Sequence, residues 1–483
     1  MDIRRVLVLM MLLIELICVV KGNVLFKVQH KYGGLGQGRV ALTSLWSHDS
    51  LRHFRMLAAV DFQLGGNGRP TGTALYYTKL AIGTPLNYYH VHVDTGSDVL
   101  WVNCKDCNRC PENRYLKIPL KKYNVMASST GKEVTCEQEF CSAASAAIHV
   151  PNSNCRGGRT CNYSVSYGDG STIEGYFVRD YIRLDQVSGN LQTTTMDGSI
   201  VFGCSVRGLG SPSTAVDGII GFGQGNISIL SQLASLGKTK KVFSHCLDGS
   251  NGGGMFAIGE LVQPKVNSTP LVPNAAHYNV IMKAVEVGGQ FLDLPTYLFD
   301  TRSRGRTIID SGTTLAYLPA KVYEPLIEKM MAWQPCLKTH IVENHYKCFF
   351  YCGNVDDGFP VVTFHFEDSL SLSVYPHDYL FKTRNKEYCI GWQNSGLLLK
   401  DFKRTTLLGD IALKDKLVLY DLENQRMGWT QYNCSSSIKV KDEESGNIYA
   451  VSAHDLSSTA SSLWGDTIST FIFLIAILLN MIE

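Results

Sequence analysis

The chain has 483 residues, 45 basic and 43 acidic, with a formal net charge of +2. That length accommodates two or three domains, and a hydrophobic fraction of 45% supplies a core for each. So small a net charge creates no global field for nucleic acid or an acidic surface, and any partner has to be recognised at a local site.

Arg4 and Arg5 precede an apolar run from Val6 to Val20, broken only by Glu15, which reads as a secretory signal over residues 1–22 with cleavage after Gly22. The fifteen cysteines agree with an oxidising compartment, and loss of Cys18 leaves an even fourteen, compatible with seven bridges of unreadable connectivity. Residues 23–70 form a basic leader: over Asn23 to Val60 there are five basic residues, Lys27, Lys31, Arg39, Arg52 and Arg55, against a single acid, Asp49, before a glycine-rich exit. This segment is expected to be a prosegment, held electrostatically over an acidic cleft as an intramolecular inhibitor.

From Leu75 to Asn433 short apolar runs are cut by Gly, Pro, Asn and Ser, the texture of an all-β protein with a few short helices. Tyr89, Val91 and Val93 alternate with His90 and His92, so a strand delivers Asp94 into a turn, and the two histidines read as a solvated face. Cys104, Cys107 and Cys110 have metal-like spacing, but the secretory context favours disulfides, and neither metal nor cofactor is expected. Ser228 caps a helix with Ile229, Leu230, Leu233 and Leu236 inward, stopped by Gly237. Gly252 to Gly254 is a turn, and Glu260 to Asn267 divides two lobes, 71–265 and 266–437. Pro319 opens a second helix carrying Val322, Leu326, Ile327 and Met330 inward and ending before Pro335. Val361 to Phe366 and Lys416 to Tyr420 are strands. Asn162, Asn226, Asn267 and Asn433 begin glycosylation sequons.

Residues 438–462 read as an acidic, Ser-rich linker, and 463–483 as a hydrophobic anchor signal. Ile468 to Ile482 is short for a bilayer span of roughly 20 residues and has no basic flank. With the small residues upstream, Ser457 and Ser458 being the attachment candidates, the layout is that of a glycosylphosphatidylinositol (GPI) signal.

The chain is organised by a repeat. His92-Val93-Asp94-Thr95-Gly96-Ser97 is echoed 216 residues later by Thr307-Ile308-Ile309-Asp310-Ser311-Gly312-Thr313. Each copy runs an apolar strand into a carboxylate, a hydroxyl residue, a glycine and a second hydroxyl residue. Each is followed by an apolar pair closed by glycine, Val216-Asp217-Gly218-Ile219-Ile220-Gly221 and Thr406-Leu407-Leu408-Gly409-Asp410, as a buried strand needs where another backbone crosses closely. Two carboxylates a few ångströms apart can supply the base and the acid that amide hydrolysis needs without a metal, because like charges so close retain one shared proton.

With Trp101 seven positions after Asp94, and with Tyr167-Gly168-Asp169-Gly170-Ser171, these motifs resemble the pepsin family of aspartic peptidases over roughly Leu75 to Cys434. The shared-proton dyad is a known property of that family. The cysteine-rich insert after Trp101 is similar to plant members, and the second lobe has no room for the saposin-like insert of the typical vacuolar ones. The resemblance implies a bilobal all-β fold with a cleft between similar lobes. Asp94 and Asp310 would hold the attacking water, Ser97 and Thr313 would hydrogen-bond their outer oxygens, and Gly96 and Gly312 would offer backbone N–H groups. Thr95 and Ser311 would tie the two turns together. Tyr167, with Gly168, Asp169 and Gly170, would form the tip of a flap over substrate, and Trp101 would support the Tyr hydroxyl.

The expectation is therefore a secreted or cell-surface, GPI-anchored endopeptidase of the plasma membrane. It would be monomeric, act on polypeptides at acidic pH and favour bulky apolar residues beside the scissile bond. The same resemblance carries a second reading, a binding or inhibitor protein on this fold with weak catalysis or none. A glycosidase built on two carboxylates does not call for paired Asp-hydroxyl-Gly turns.

Overall fold

The computed structural model describes residues 58–453 except 67–75, 109, 111–119, 150–157, 210–215, 300–306, 344, 399–403 and 444. The signal segment, most of the leader, and the tail with Ser457 and Ser458 lie outside the described residues.

Alternation builds the strand that carries the first carboxylate: over Asn87–Asp94 the side chains of Tyr89, Val91 and Val93 are buried in the core. It pairs antiparallel with Tyr76–Ile82 and parallel with Gly218–Gly221, placing Asp94 opposite Gly221. Trp101–Asn108 then runs antiparallel to Gly218–Gly221 and parallel to Gln192–Leu209. The second half repeats the pattern. Thr307–Ile309 is parallel to Thr406–Leu408, which is antiparallel to Ala316–Leu318, itself parallel to Trp392–Asn394. The two carboxylate turns thus leave the ends of equivalent strands.

The glycines of the apolar segments are needed where strands cross. A Cβ at Gly218 would sit 2.0 Å from the Trp101 carbonyl oxygen, and one at Gly409 would sit 2.1 Å from that of Thr313. No side chain fits there.

One 14-stranded sheet carries the first lobe and continues through Val242–Leu247 into Lys416–Asp421, Arg426–Gln431 and Ser268–Pro270. An aromatic cluster holds this junction: the rings of Phe243 and Tyr420 stack at 4.4 Å, and Tyr278 meets Tyr420 at 4.6 Å. The Cys246–Cys434 disulfide fastens the same place. A five-stranded and two four-stranded sheets make up the second lobe.

Both expected helices form, over Ile229–Ser235 and Ala320–Met331. The Ser228 hydroxyl accepts the Ser231 N–H, and Val322, Leu326, Ile327 and Met330 are all buried. Leu236, however, is exposed, because the helix has ended before it. The expected strands at Val362–Phe366 and Lys416–Asp421 are present.

Three expectations need correction. The leader drawn to residue 70 overlaps a strand, Val60–Gly66, that pairs with Gly254–Ile258 and Tyr76–Ile82. Its Phe62 packs edge-on against Phe222 and Phe256, so this part belongs to the folded body. The linker drawn from residue 438 begins as two strands, Ile438–Lys441 and Ile448–Val451, the first paired with Glu260–Gln263. Ile438 and Val440 alternate with two lysines and are fully buried. His92 is also buried rather than solvated, only 3% exposed.

Five disulfides are formed among the described residues: Cys104–Cys204, Cys107–Cys110, Cys141–Cys161, Cys246–Cys434 and Cys348–Cys389. The metal-like spacing at Cys104 to Cys110 is used for two of them.

The close crossing gives a stability prediction. Gly409→Ala should lose about 3 kcal/mol in urea unfolding, because its Cβ meets rigid backbone. Gly168→Ala, where a Cβ meets nothing within 4 Å, should stay within about 0.5 kcal/mol of wild type.

Candidate active site

Each carboxylate turn folds back on its own acid. The Gly96 N–H donates to Asp94 Oδ1 at 2.7 Å and the Ser97 hydroxyl donates to Asp94 Oδ2. In the second turn the Gly312 N–H donates to Asp310 Oδ1 at 2.7 Å and the Thr313 hydroxyl to Asp310 Oδ2 at 2.7 Å. The two sets are equivalent in position and kind.

The turns also meet each other. The Ser311 N–H donates to Thr95 Oγ1 at 2.9 Å, and the Ser311 hydroxyl donates to the Val93 carbonyl at 3.3 Å. Thr95 and Ser311 are buried, so these bonds form away from water. Each turn glycine faces the opposite acid: a Cβ on Gly96 would lie 2.5 Å from Asp310 Oδ1, and one on Gly312 would lie 2.1 Å from Asp94 Oδ1. The requirement for glycine is therefore steric as well as conformational.

Asp94 and Asp310 are 5% and 8% exposed and lie close enough together that the charge of Asp94 acts on Asp310, so a proton retained by one of them relieves the repulsion. Burial pushes both up. The Asp310 carboxyl reaches about 6 through desolvation first and the Asp94 charge second, with Thr313, Gly312 and His277 acting against the rise. For Asp94, burial outweighs the hydrogen bonds from Ser97 and Gly96.

A hairpin overhangs the pair. Asn162–Ser166 pairs with the first part of Thr172–Gly189, and the turn closes with the Tyr167 N–H on Ser171 O at 2.9 Å and the Gly170 N–H on Tyr167 O at 3.0 Å. Gly170 takes a φ of +86°, and the Asp169 carboxylate accepts the Ser171 N–H. Tyr167 is half-buried, and the Trp101 indole N–H donates to its hydroxyl at 2.7 Å. Tyr167, Gly168 and Asp169 line the same cleft of about 620 Å³ as Asp94 and Asp310.

Four further groups bear on the site, and no motif in the sequence assigns them a role there. His277 Nδ1 lies 2.9 Å from the Gly96 carbonyl, and its charge lowers both acids. Burial brings His92 down to about 4, so it is neutral beside the dyad. Asp410, at the start of a short helix, is pushed up first by burial and then by the Asp310 charge. Asp217 is fully buried and accepts the His90 N–H at 2.8 Å and the Lys121 N–H, fixing the strand that ends at Asp94. The sequon residues lie apart from the cleft lining; Asn226, Asn267 and Asn433 are exposed, and Asn162 is half-buried on the flap hairpin.

Comparison with known proteins adds to this geometry. The family description "Xylanase inhibitor N-terminal" matches residues 76–260, and "Xylanase inhibitor C-terminal" matches 277–431. The chain is 51% identical to Aspartic proteinase 36 of Arabidopsis thaliana, covering 97% of this chain and 95% of that one. It is 47% identical to Aspartic proteinase 39 of the same plant, covering 95% and 94%. Among solved structures it resembles edgp, with a TM-score of 0.61, and basic 7S globulin from soybean, with a TM-score of 0.59. Both are 20% identical over 78% of this chain and 96% of theirs, a likeness of fold.

The raised Asp310 has a signed consequence for stability. Its folded pKa of about 6 exceeds the ordinary 3.8, so the folded state binds the proton more tightly. Stability from this group is full below about pH 4 and falls as pH rises through about 6. Unfolding free energy should therefore drop by about 2–3 kcal/mol from pH 4 to pH 7 in wild type, and that component should be absent in Asp310→Asn.

Proposed function

Because this chain belongs to the pepsin family of aspartic proteinases, we propose that it is an active endopeptidase that hydrolyses peptide bonds at acidic pH. The observation that carries the reading is the pair of buried carboxylates side by side at the cleft, each held by its own glycine N–H and hydroxyl.

The chemistry follows from one shared proton. The ionised carboxylate takes a proton from water as its oxygen attacks the substrate carbonyl carbon, and the protonated carboxyl gives its proton to the carbonyl oxygen. The tetrahedral diol then collapses: a proton passes to the amide nitrogen, the C–N bond breaks, and the pair is left with one proton again. Ser97, Thr313, Gly96 and Gly312 hold the acids in position throughout. Tyr167 and the hairpin behind it cover the substrate backbone. Ile219, Leu315, Tyr317, Tyr346 and Phe381 give the cleft apolar walls, which suits bulky apolar side chains beside the scissile bond.

In this reading the protein enters the secretory pathway, and five disulfides agree with an oxidising compartment. The basic leader acts as inhibitor until acid protonates the groups holding it, the sequons carry glycans, and the tail supplies a GPI anchor at the plasma membrane. The enzyme acts as a monomer.

The family description by xylanase inhibitors favours a second reading, a binding protein on this fold. Both acids, both supporting hydroxyls and the flap tyrosine stand against it.

A peptide-library digest near pH 4 separates the two. Wild type should cleave, and Asp94→Ala and Asp310→Ala should each lose at least about a thousandfold in kcat/KM. Undiminished cleavage in either variant, or none in wild type, would exclude the endopeptidase. Above about pH 6, kcat/KM should fall tenfold per pH unit as the shared proton leaves the Asp310 side of the pair. Trp101→Phe should raise KM, since Tyr167 then loses its hydrogen-bond donor.

A further inference from the structure

Cys336 and Cys352 are exposed free thiols that flank one hairpin of the second lobe. The hairpin between them has strands Thr339–Val342 and Tyr346–Phe350, with Thr339 opposite Phe349, His340 opposite Cys348 and Val342 opposite Tyr346. The pairing ends at Thr339 and Phe349, and Cys336 and Cys352 each lie three residues beyond that last pair, at the open end of the hairpin. A disulfide needs Cα atoms about 4.4–6.8 Å apart, a span that two segments leaving the end of one hairpin can meet.

A second observation places the two segments together independently of the register. The Gln334 side-chain amide donates to the Gly358 carbonyl at 2.8 Å, while a Cβ on Gly358 would fall 2.0 Å from the Tyr351 hydroxyl and 3.2 Å from the Gln334 amide nitrogen. Gln334 and Tyr351 therefore meet at one glycine. They stand two residues before Cys336 and one before Cys352, with the first segment turning through the Leu337 N–H bond to Gln334 O.

We propose that Cys336 and Cys352 form a further disulfide that clamps the open end of this hairpin. Among the described residues Thr339–Val342 is the edge strand of its sheet, paired with Tyr346–Phe350 alone, and Thr339 and Ile341 are exposed. The Cys348–Cys389 bridge holds the inner strand and leaves the edge strand unfastened. The hairpin supplies Val342, Glu343 and Tyr346 to the cleft wall, so fastening it fixes one side of the site. Formation is a thiol–disulfide exchange with a protein disulfide of the secretory pathway as oxidant. One thiolate attacks a sulfur of that disulfide, the second thiolate displaces the mixed bond, and the oxidant leaves as a dithiol carrying the two electrons and two protons.

The test is cysteine mapping on the full chain purified from a secreting host. The protein is denatured with excess N-ethylmaleimide and no reductant, then digested and analysed by mass spectrometry. The Cys336 and Cys352 peptides should appear joined and unlabelled. Labelling of both in most molecules, or joining of either to another cysteine, would overturn the bridge. In Cys336→Ser, Cys352 should become labelled. Amides of Thr339–Phe350 should then exchange with deuterium faster in the C336S/C352S double variant than in wild type; unchanged exchange would overturn the clamp. Neither readout depends on this protein's own proteolytic activity, so the proposal stands or falls separately from the catalytic reading.

Discussion

The site depends on the joint made by Ser311, whose N–H reaches Thr95 Oγ1 and whose hydroxyl reaches the Val93 carbonyl. These groups come from turns 216 residues apart, and none has water to fall back on. A buried donor left without its acceptor costs about 1–3 kcal/mol, so separation of the turns is opposed at each of these bonds. The Tyr278 hydroxyl on Phe222 O and the Gln224 amide on His277 O add further links between the halves. Since Gly96 and Gly312 each lie against the other turn's carboxylate, any shift of one half relative to the other would move the acids directly. Docking of the lobes and construction of the dyad are one event.

The second constraint is charge in a desolvated place. Two ionised carboxylates side by side would repel strongly where water is excluded, and burial lifts both acids enough that one proton stays. The neighbours follow the same rule. Asp410 is driven towards its neutral form, and His92 towards its neutral form from the other side of the scale. At mildly acidic pH a single negative charge is thus left on the dyad, which is the state that can take one proton and give another. His277, a second-lobe residue 2.9 Å from the Gly96 carbonyl, moderates the rise electrostatically.

What the sequence made legible was local in origin. The paired turns, the glycines of the crossing strands and the Pro319 helix each follow from a residue type acting on its own backbone or on its immediate neighbours. What it hid was tertiary. His92 shares a strand face with His90, yet the Ser311 turn covers it, and nothing near residue 92 announces that covering. Asp217 stands inside a recognised motif, but its partners His90 and Lys121 are 127 and 96 residues away. His277 belongs to no motif. The strands at Ile438–Lys441 and Ile448–Val451 alternate clearly, but the surrounding acids, lysines and serines gave the stretch the composition of a linker.

The flap shows how the fold grades rigidity towards the site. Its base has a small core of its own, with Trp101, Tyr163, Phe177 and Val201 packed together and the Cys141–Cys161 bridge beneath. Tyr163 stacks on Phe177 at 4.8 Å, and Gly203 leaves the space for its ring, since a Cβ there would lie 2.5 Å from it. Tyr167 packs on this cluster and is held by Trp101, a residue of the same core. Beyond Tyr167 the support ends: a Cβ on Gly168 or Gly170 would touch nothing within 4 Å. The tyrosine is therefore the last anchored residue before a tip free of packing, so its hydroxyl is positioned over the cleft by the core while the turn ahead of it is left without side-chain support.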